Sequence, residues 1–168
     1  MLIADDLAGL FAYNRWANER TVASARALSA EEYERDLGGG FPSVRDTLVH
    51  IASATEAWHE RFHGRSPGRL LTGADVPGLD EAASRLELAD AAIERFALET
   101  DPARLSDVLT YMNLKGEPKK VPYWAVLRHV VNHGTYHRGQ IASMIRRLGG
   151  KPNPTDFVFW GILNTPQE

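Results

Sequence analysis

Residues 122–150 read PYWAVLRHVVNHGTYHRGQIASMIRRLGG. A proline suits the first turn of a helix, where its missing N–H has no partner to lose, and a glycine pair suits the far end. Between them Leu127, Val130, Val131, Ile141, Ile145 and Leu148 recur at helical spacing, which predicts one long amphipathic helix ending at Leu148. Three earlier segments repeat the pattern. Residues 5–28 carry Leu7, Leu10, Phe11, Ala17 and Val22 without a proline. Ser43, with Asp46 three residues on, caps a second helix whose stripe is Val44, Leu48, Ile51, Thr55, Trp58 and Phe62. Asp80 opens a third, DEAASRLELADAAIERFALE at 80–99, facing inward through Leu86, Ala89, Asp90, Ile93, Phe96 and Ala97.

The breakers between these segments are GGGFPS at 38–43, then Gly64, Pro67 and Gly68, then Asp101-Pro102. Residues 107–121 change character and read as a short β-hairpin with Gly116 in its turn. The tail, KPNPTDFVFWGIL, is loop plus a brief apolar segment that should pack back on the body. The expected architecture is therefore all-α: a single domain over residues 1–168, an up-down four-helix bundle with a short β-hairpin before the fourth helix.

Composition narrows the chemistry. The 168 residues are 43% hydrophobic and 24% charged, with a net charge of −3 and no Lys/Arg run longer than two, so nucleic acid is not an expected partner. The absence of cysteine rules out disulfides, thiolate metal sites and a cysteine nucleophile. MLIADDLAGL lacks a basic leader, and no apolar run is long enough for a bilayer. The expected place is the cytoplasm, with no membrane partner.

Any metal must then be held by His, Asp, Glu or backbone. His129, His133 and His137 stand four apart and lean along one side of the last helix. On a helical wheel His137 lies roughly 50° from the centre of the apolar stripe, His133 roughly 90° and His129 roughly 130°. His133 and His137 are the inward pair, spaced to grip one divalent ion; the competing reading is two core-edge histidines satisfied by hydrogen bonds. Gly134 and Gly139 each cost a helix about 1 kcal/mol relative to alanine, which points to a close neighbour or a cavity. Arg138 falls within the apolar arc and needs a carboxylate or a carbonyl end as partner. A third ligand must come from the second helix. There the wheel favours His59, roughly 60° from its stripe, over His50 at roughly 120°. The small neighbours Thr47 and Ala54 leave room at His50, and periodicity leaves the choice open.

Residues 59–63, HERFH, match the H-E-x-x-H signature of zinc peptidases. That chemistry needs the helix to continue and a third ligand to follow. Here Gly64 and GRSPG break the helix, and Ser66 and Arg69 occupy the glycine and histidine positions of the extended motif. The peptidase reading is set aside.

Four stretches together resemble the DinB family of four-helix-bundle metalloproteins, which is distinct from the DNA polymerase sharing that name: YNRWANER at 13–20, TLVHIASATEAWHERF at 47–62, VLTYMNLKGEPKKVP at 108–122 and LRHVVNHGTYHRGQI at 127–141. The resemblance spans nearly the whole chain and is most specific in the last stretch. It implies a divalent metal, nickel or zinc before iron or manganese, held by His50, His133 and His137. Three imidazoles leave coordination positions open, as in catalytic zinc sites. Related branches imply a metal-dependent S-transferase using a low-molecular-weight thiol such as bacillithiol or mycothiol, or a hydrolase, acting on a small electrophile in stress detoxification. The alternative class is a non-catalytic metal-binding or stress-response protein. Asn14 and Gln140 are expected to support the ligands from behind, and a homodimer is the expected assembly.

Overall fold

The computed structural model describes residues 2–165. The chain forms α1 (Leu2–Ala25), α2 (Ala30–Glu34), α3 (Val44–Phe62), α4 (Leu79–Glu99), α5 (Tyr123–Arg147) and α6 (Phe157–Leu163), with strands β1 (Val108–Met112) and β2 (Pro118–Pro122) before α5. The strands pair antiparallel with Thr110 opposite Lys120, and Gly116 takes φ +75° in the turn. The four long helices, with the hairpin ahead of the last, are the architecture that the apolar periodicity implies.

Local chemistry sets the ends. Ser43 Oγ accepts the Asp46 amide at 3.0 Å and starts α3. At α5's far end the amides of Gly149 and Gly150 bond back to the carbonyls of Arg146 and Ile145, with Gly149 at φ +84°, a Schellman closure that only glycine adopts without strain. Two boundaries differ from the sequence expectation. α1 stops at Ala25, because the Ala27 and Leu28 amides tighten onto the carbonyls of Ser24 and Ala25. Gly78 takes the cap position of α4 without a side-chain bond, while Asp80 sits in the first turn and pairs with Arg26 at 2.6 Å. The short α2, opened by a capping box between Ser29 and Glu32, was not expected from periodicity; five residues are too few to show it.

Side-chain pairs give the helix directions. Asp6–Arg128 and Asn14–Arg138 run in step, so α1 and α5 are parallel. Arg26–Asp80, Asn18–Asp90 and Arg15–Glu94 make α4 antiparallel to α1. Thr47–Met144 and Trp58–His129 make α3 antiparallel to α5. Phe62–Phe96 and Glu56–Arg85 leave α3 and α4 parallel. The order is up, down, down, up, which corrects the up-down alternation expected from the sequence. Parallel consecutive helices need a connection that returns the length of the bundle. Residues 63–78 supply it. Ser66 bonds Met112 at the hairpin end, the Leu71 amide donates to Ser53 midway along α3, and Gly73 abuts Asp46 near α3's start.

The apolar core falls into two clusters. One gathers Leu7, Phe11, Phe62, Ile93, Leu109 and Leu127 at the hairpin end; the other gathers Val44, Leu48, Ile51, Leu86, Ile141 and Ile145 at the opposite end. Between them runs a polar layer of Asn14, Asn18, Asp90, Arg138 and His137, all buried. The tail packs back on α1, with Trp160 against Tyr13 and the Tyr13 hydroxyl donating to the Thr155 carbonyl at 2.9 Å. No helix among the described residues is long and apolar enough to cross a membrane.

Candidate metal centre

The antiparallel contact of α3 with α5 lays His50 against His133 and His137. One ligand atom from each lies within 4.8 Å of the others. The Nε2 atoms of His50 and His133 are 3.1 Å apart, and the His50 and His137 rings meet edge to face with centroids at 4.6 Å. Three histidines are thus positioned to hold one metal ion.

The surroundings keep these imidazoles neutral, the form that can donate a lone pair. Burial pushes His50 down to about 4, helped by the neighbouring His137. Burial also pushes His133 down to about 3, helped by His137, His50 and His129. His137 is lowered by burial, and its bond to Gln140 opposes this. That bond, 2.7 Å between His137 Nδ1 and Gln140 Oε1, fixes the tautomer. The amide oxygen accepts the Nδ1 proton, so Nε2 keeps its lone pair for the cluster.

Phe41, from the glycine-rich connection before α3, stacks on His50 at 4.0 Å and sets its edge against His137 at 5.4 Å. Beside His50 opens a cavity of about 230 Å³, walled by Phe41, Pro42, Asp46, Leu71 and Gly73. Asp46 stands one helical turn before His50, with one carboxylate oxygen bonded by the Ser43 hydroxyl at 2.5 Å. It brings a carboxylate to the wall of the cavity that also exposes a candidate ligand.

The other sequence candidates fall elsewhere. His129 lies beyond His133, its ring 5.4 Å away and edge-on to Trp58, outside the group of three. His59 and His63 pair with each other at α3's last turn. Asn14 is in the polar layer, but on the α1 side of α5. Its oxygen accepts from Arg138 at 2.8 Å, its amide donates to Asp90 at 3.1 Å, and it makes no hydrogen bond to the three histidines. It therefore supports α5 from behind rather than a ligand directly. Arg138 finds its carboxylate at one remove: it donates to the oxygens of Asn14 and Asn18, whose amides donate to Asp90. Gly134 makes room for this, since a Cβ there would come within 2.7 Å of Arg138 Nη1 and 3.0 Å of Asn14 Oδ1. Gly139 has nothing within 4 Å and meets no such need. Sequence reasoning missed Phe41 and Asp46, read only as a loop residue and a cap. The i, i+4 spacing of Asp46 and His50 was the available signal.

Comparison with known proteins finds relatives that span nearly the whole chain. The DinB family model matches residues 4–163. Protein DinB of Bacillus subtilis (strain 168) is 33% identical over 164 residues, covering 95% of each chain. The crystal structure of a DinB-like protein from Bacillus cereus ATCC 10987 shares the fold, with a TM-score of 0.61 at 20% identity, over 82% of this chain and 89% of that one.

Proposed function

The chain belongs to the DinB family, and from that premise we propose that His50, His133 and His137 hold a divalent metal ion for an enzyme acting on a small electrophile. The observation that carries the reading is the convergence of three neutral imidazoles within 4.8 Å, drawn from two antiparallel helices. The donor set fits the group. Imidazole nitrogens suit nickel and zinc, and three of them leave positions for a further ligand.

When bound, such an ion lowers the pKa of a coordinated thiol or water and so supplies a nucleophile at neutral pH. The chain's own residues do the rest. Gln140 holds the His137 proton on Nδ1. Phe41 covers one face of His50. The cavity beside His50 admits a small molecule, and Asp46 on its wall can accept a proton or hold a positively charged group there. The nucleophile is a low-molecular-weight thiol in an S-transferase or water in a hydrolase. The chain brings no cysteine of its own, so a thiol must come from outside.

The test is metal content of tag-free protein by mass spectrometry after reconstitution with nickel or zinc, beside His133→Ala. About one tightly held ion per chain, lost in the variant, is the outcome this reading requires. A wild type that holds no ion after reconstitution sinks it. Turnover of an electrophile with and without added thiol then separates an enzyme from a metal-binding protein without catalysis.

A further inference from the structure

HERFH fails as a peptidase motif in the structure as it does in the sequence. α3 ends at Phe62, His63 is its C-cap, and the chain turns away at Gly64 with φ +76°. The histidine cluster of α3 and α5 makes no use of it. Yet the two histidines are not idle surface groups. Their Nε2 atoms face each other at 3.2 Å across one helical turn, with ring centroids at 4.6 Å.

That separation has a specific meaning. Two imidazole nitrogens at about 2.0–2.1 Å from a shared ion, subtending an angle between square and tetrahedral, stand about 2.9–3.4 Å apart. His59 and His63 already hold this bite, close to the 3.1 Å between His50 and His133. Without an ion, one Nε2–H donates to the other Nε2. With an ion, the donor's proton moves to its own Nδ1, where the acceptor's already sits, and both Nε2 lone pairs turn to the metal.

We propose that His59 and His63 form a second, exposed, two-imidazole site for late first-row divalent ions, weaker than the three-histidine cluster and independent of it. The helix end favours this charge. The last turn of α3 presents the negative end of the helix dipole. The His63 ring is steadied by Phe96 at 5.8 Å. Glu60 does not join, because both its oxygens are engaged by Arg65. The positive charge of Arg65 works against a cation, and two protein ligands are fewer than three, so binding is weak and exchange with solvent fast. Water completes the coordination. The preferred ions are copper(II), then nickel(II) and zinc(II); magnesium and calcium, which want oxygen, are not retained.

The experiment is a calorimetric titration of tag-free protein with nickel(II) and with copper(II), run on wild type, His59→Ala, His63→Ala and His133→Ala. His63 is exposed and His59 half-buried at the end of α3, and circular dichroism of each variant checks that the fold is kept. Wild type should show two classes of sites. Either His59→Ala or His63→Ala should remove the weaker class, a loss larger than the roughly 10–100-fold that removal of a ligand's supporting partner costs. The tighter class should remain. A weak class that survives in both variants, or a wild type with only the class that His133→Ala removes, overturns the proposal. A protein whose only binding survives His133→Ala and is lost in His59→Ala would uphold it and refute the three-histidine centre instead.

Discussion

Replacing Asp90 by asparagine should change how stability depends on pH, with a sign opposite to that of most carboxylates. Asp90 is 4% exposed in the polar layer, and burial lifts its pKa from 3.8 to about 6 against the opposing effects of the Asn18 bond and the Arg138 charge. The folded state therefore binds this proton more tightly than the unfolded state. The contribution to stability is fully present below about pH 4, and it is lost as pH rises toward 6 and then levels off. A shift of about two units corresponds to about 3 kcal/mol. The asparagine cannot titrate, but it offers one acceptor to the two amides, from Asn14 and Asn18, that now donate to Asp90. That mismatch is a fixed cost of about 1–3 kcal/mol at every pH and cancels when pH values are compared. Urea unfolding of metal-free wild type and Asp90→Asn between about pH 4 and pH 7 should show the variant gaining on wild type by about 2 kcal/mol, most of that shift, as pH rises. A difference flat across that range, or one in which wild type gains, would show that the buried amides stabilise the ionised carboxylate after all.

Two further perturbations probe the same helix. Gly134→Ala should destabilise by about 1–3 kcal/mol despite alanine's helix preference, since its Cβ meets an arginine locked by Asn14, Asn18 and Thr135. Gly139→Ala, with open space around it, should instead stabilise by about 0.5–1 kcal/mol, and thermal melts of the two variants should move in opposite directions. Gln140→Leu should leave the fold intact and weaken nickel or zinc binding by roughly 10–100-fold, because His137 Nδ1–H loses its acceptor; unchanged affinity in a competition titration would deny Gln140 that role.

The helices and their caps were legible because each depends on neighbours in sequence. The Ser43 cap, the Gly149 closure, the hairpin turn at Gly116 and the apolar stripes are all local. The order of the helices in space was not legible, because it depends on what the 63–78 connection does, and that segment has no periodicity of its own. The same limit explains His50. Its angle on the wheel measures distance from the centre of one apolar stripe, but α3 packs against both α4 and α5, so a residue far from the stripe's centre can still face a neighbour. His59 looked better placed because Trp58 and Phe62 drew the stripe toward the hairpin end, where α3 meets β1 and α4. Arg138 was legible as a problem, a charge among apolar residues, but its answer required Asn14 and Asn18 from α1 and Asp90 from α4, more than 40 residues away in the chain.

These long-range partners bear on the histidines. His137 and Arg138 are consecutive on α5, about 100° apart around the helix, so one turns toward α3 and the other toward α1 and α4. Arg138 is bonded to Asn14, Asn18 and Thr135 and lies over the Tyr13 ring at 5.5 Å, which leaves it little freedom to slide or rotate. Whatever fixes Arg138 therefore fixes the rotation of α5 at His137, and one turn earlier at His133. Buried polar groups are a poor way to add stability, since desolvation consumes most of what their bonds return. Here the buried amide relay serves position: a bundle held only by apolar stripes tolerates small helix rotations, and ligand atoms on two helices do not.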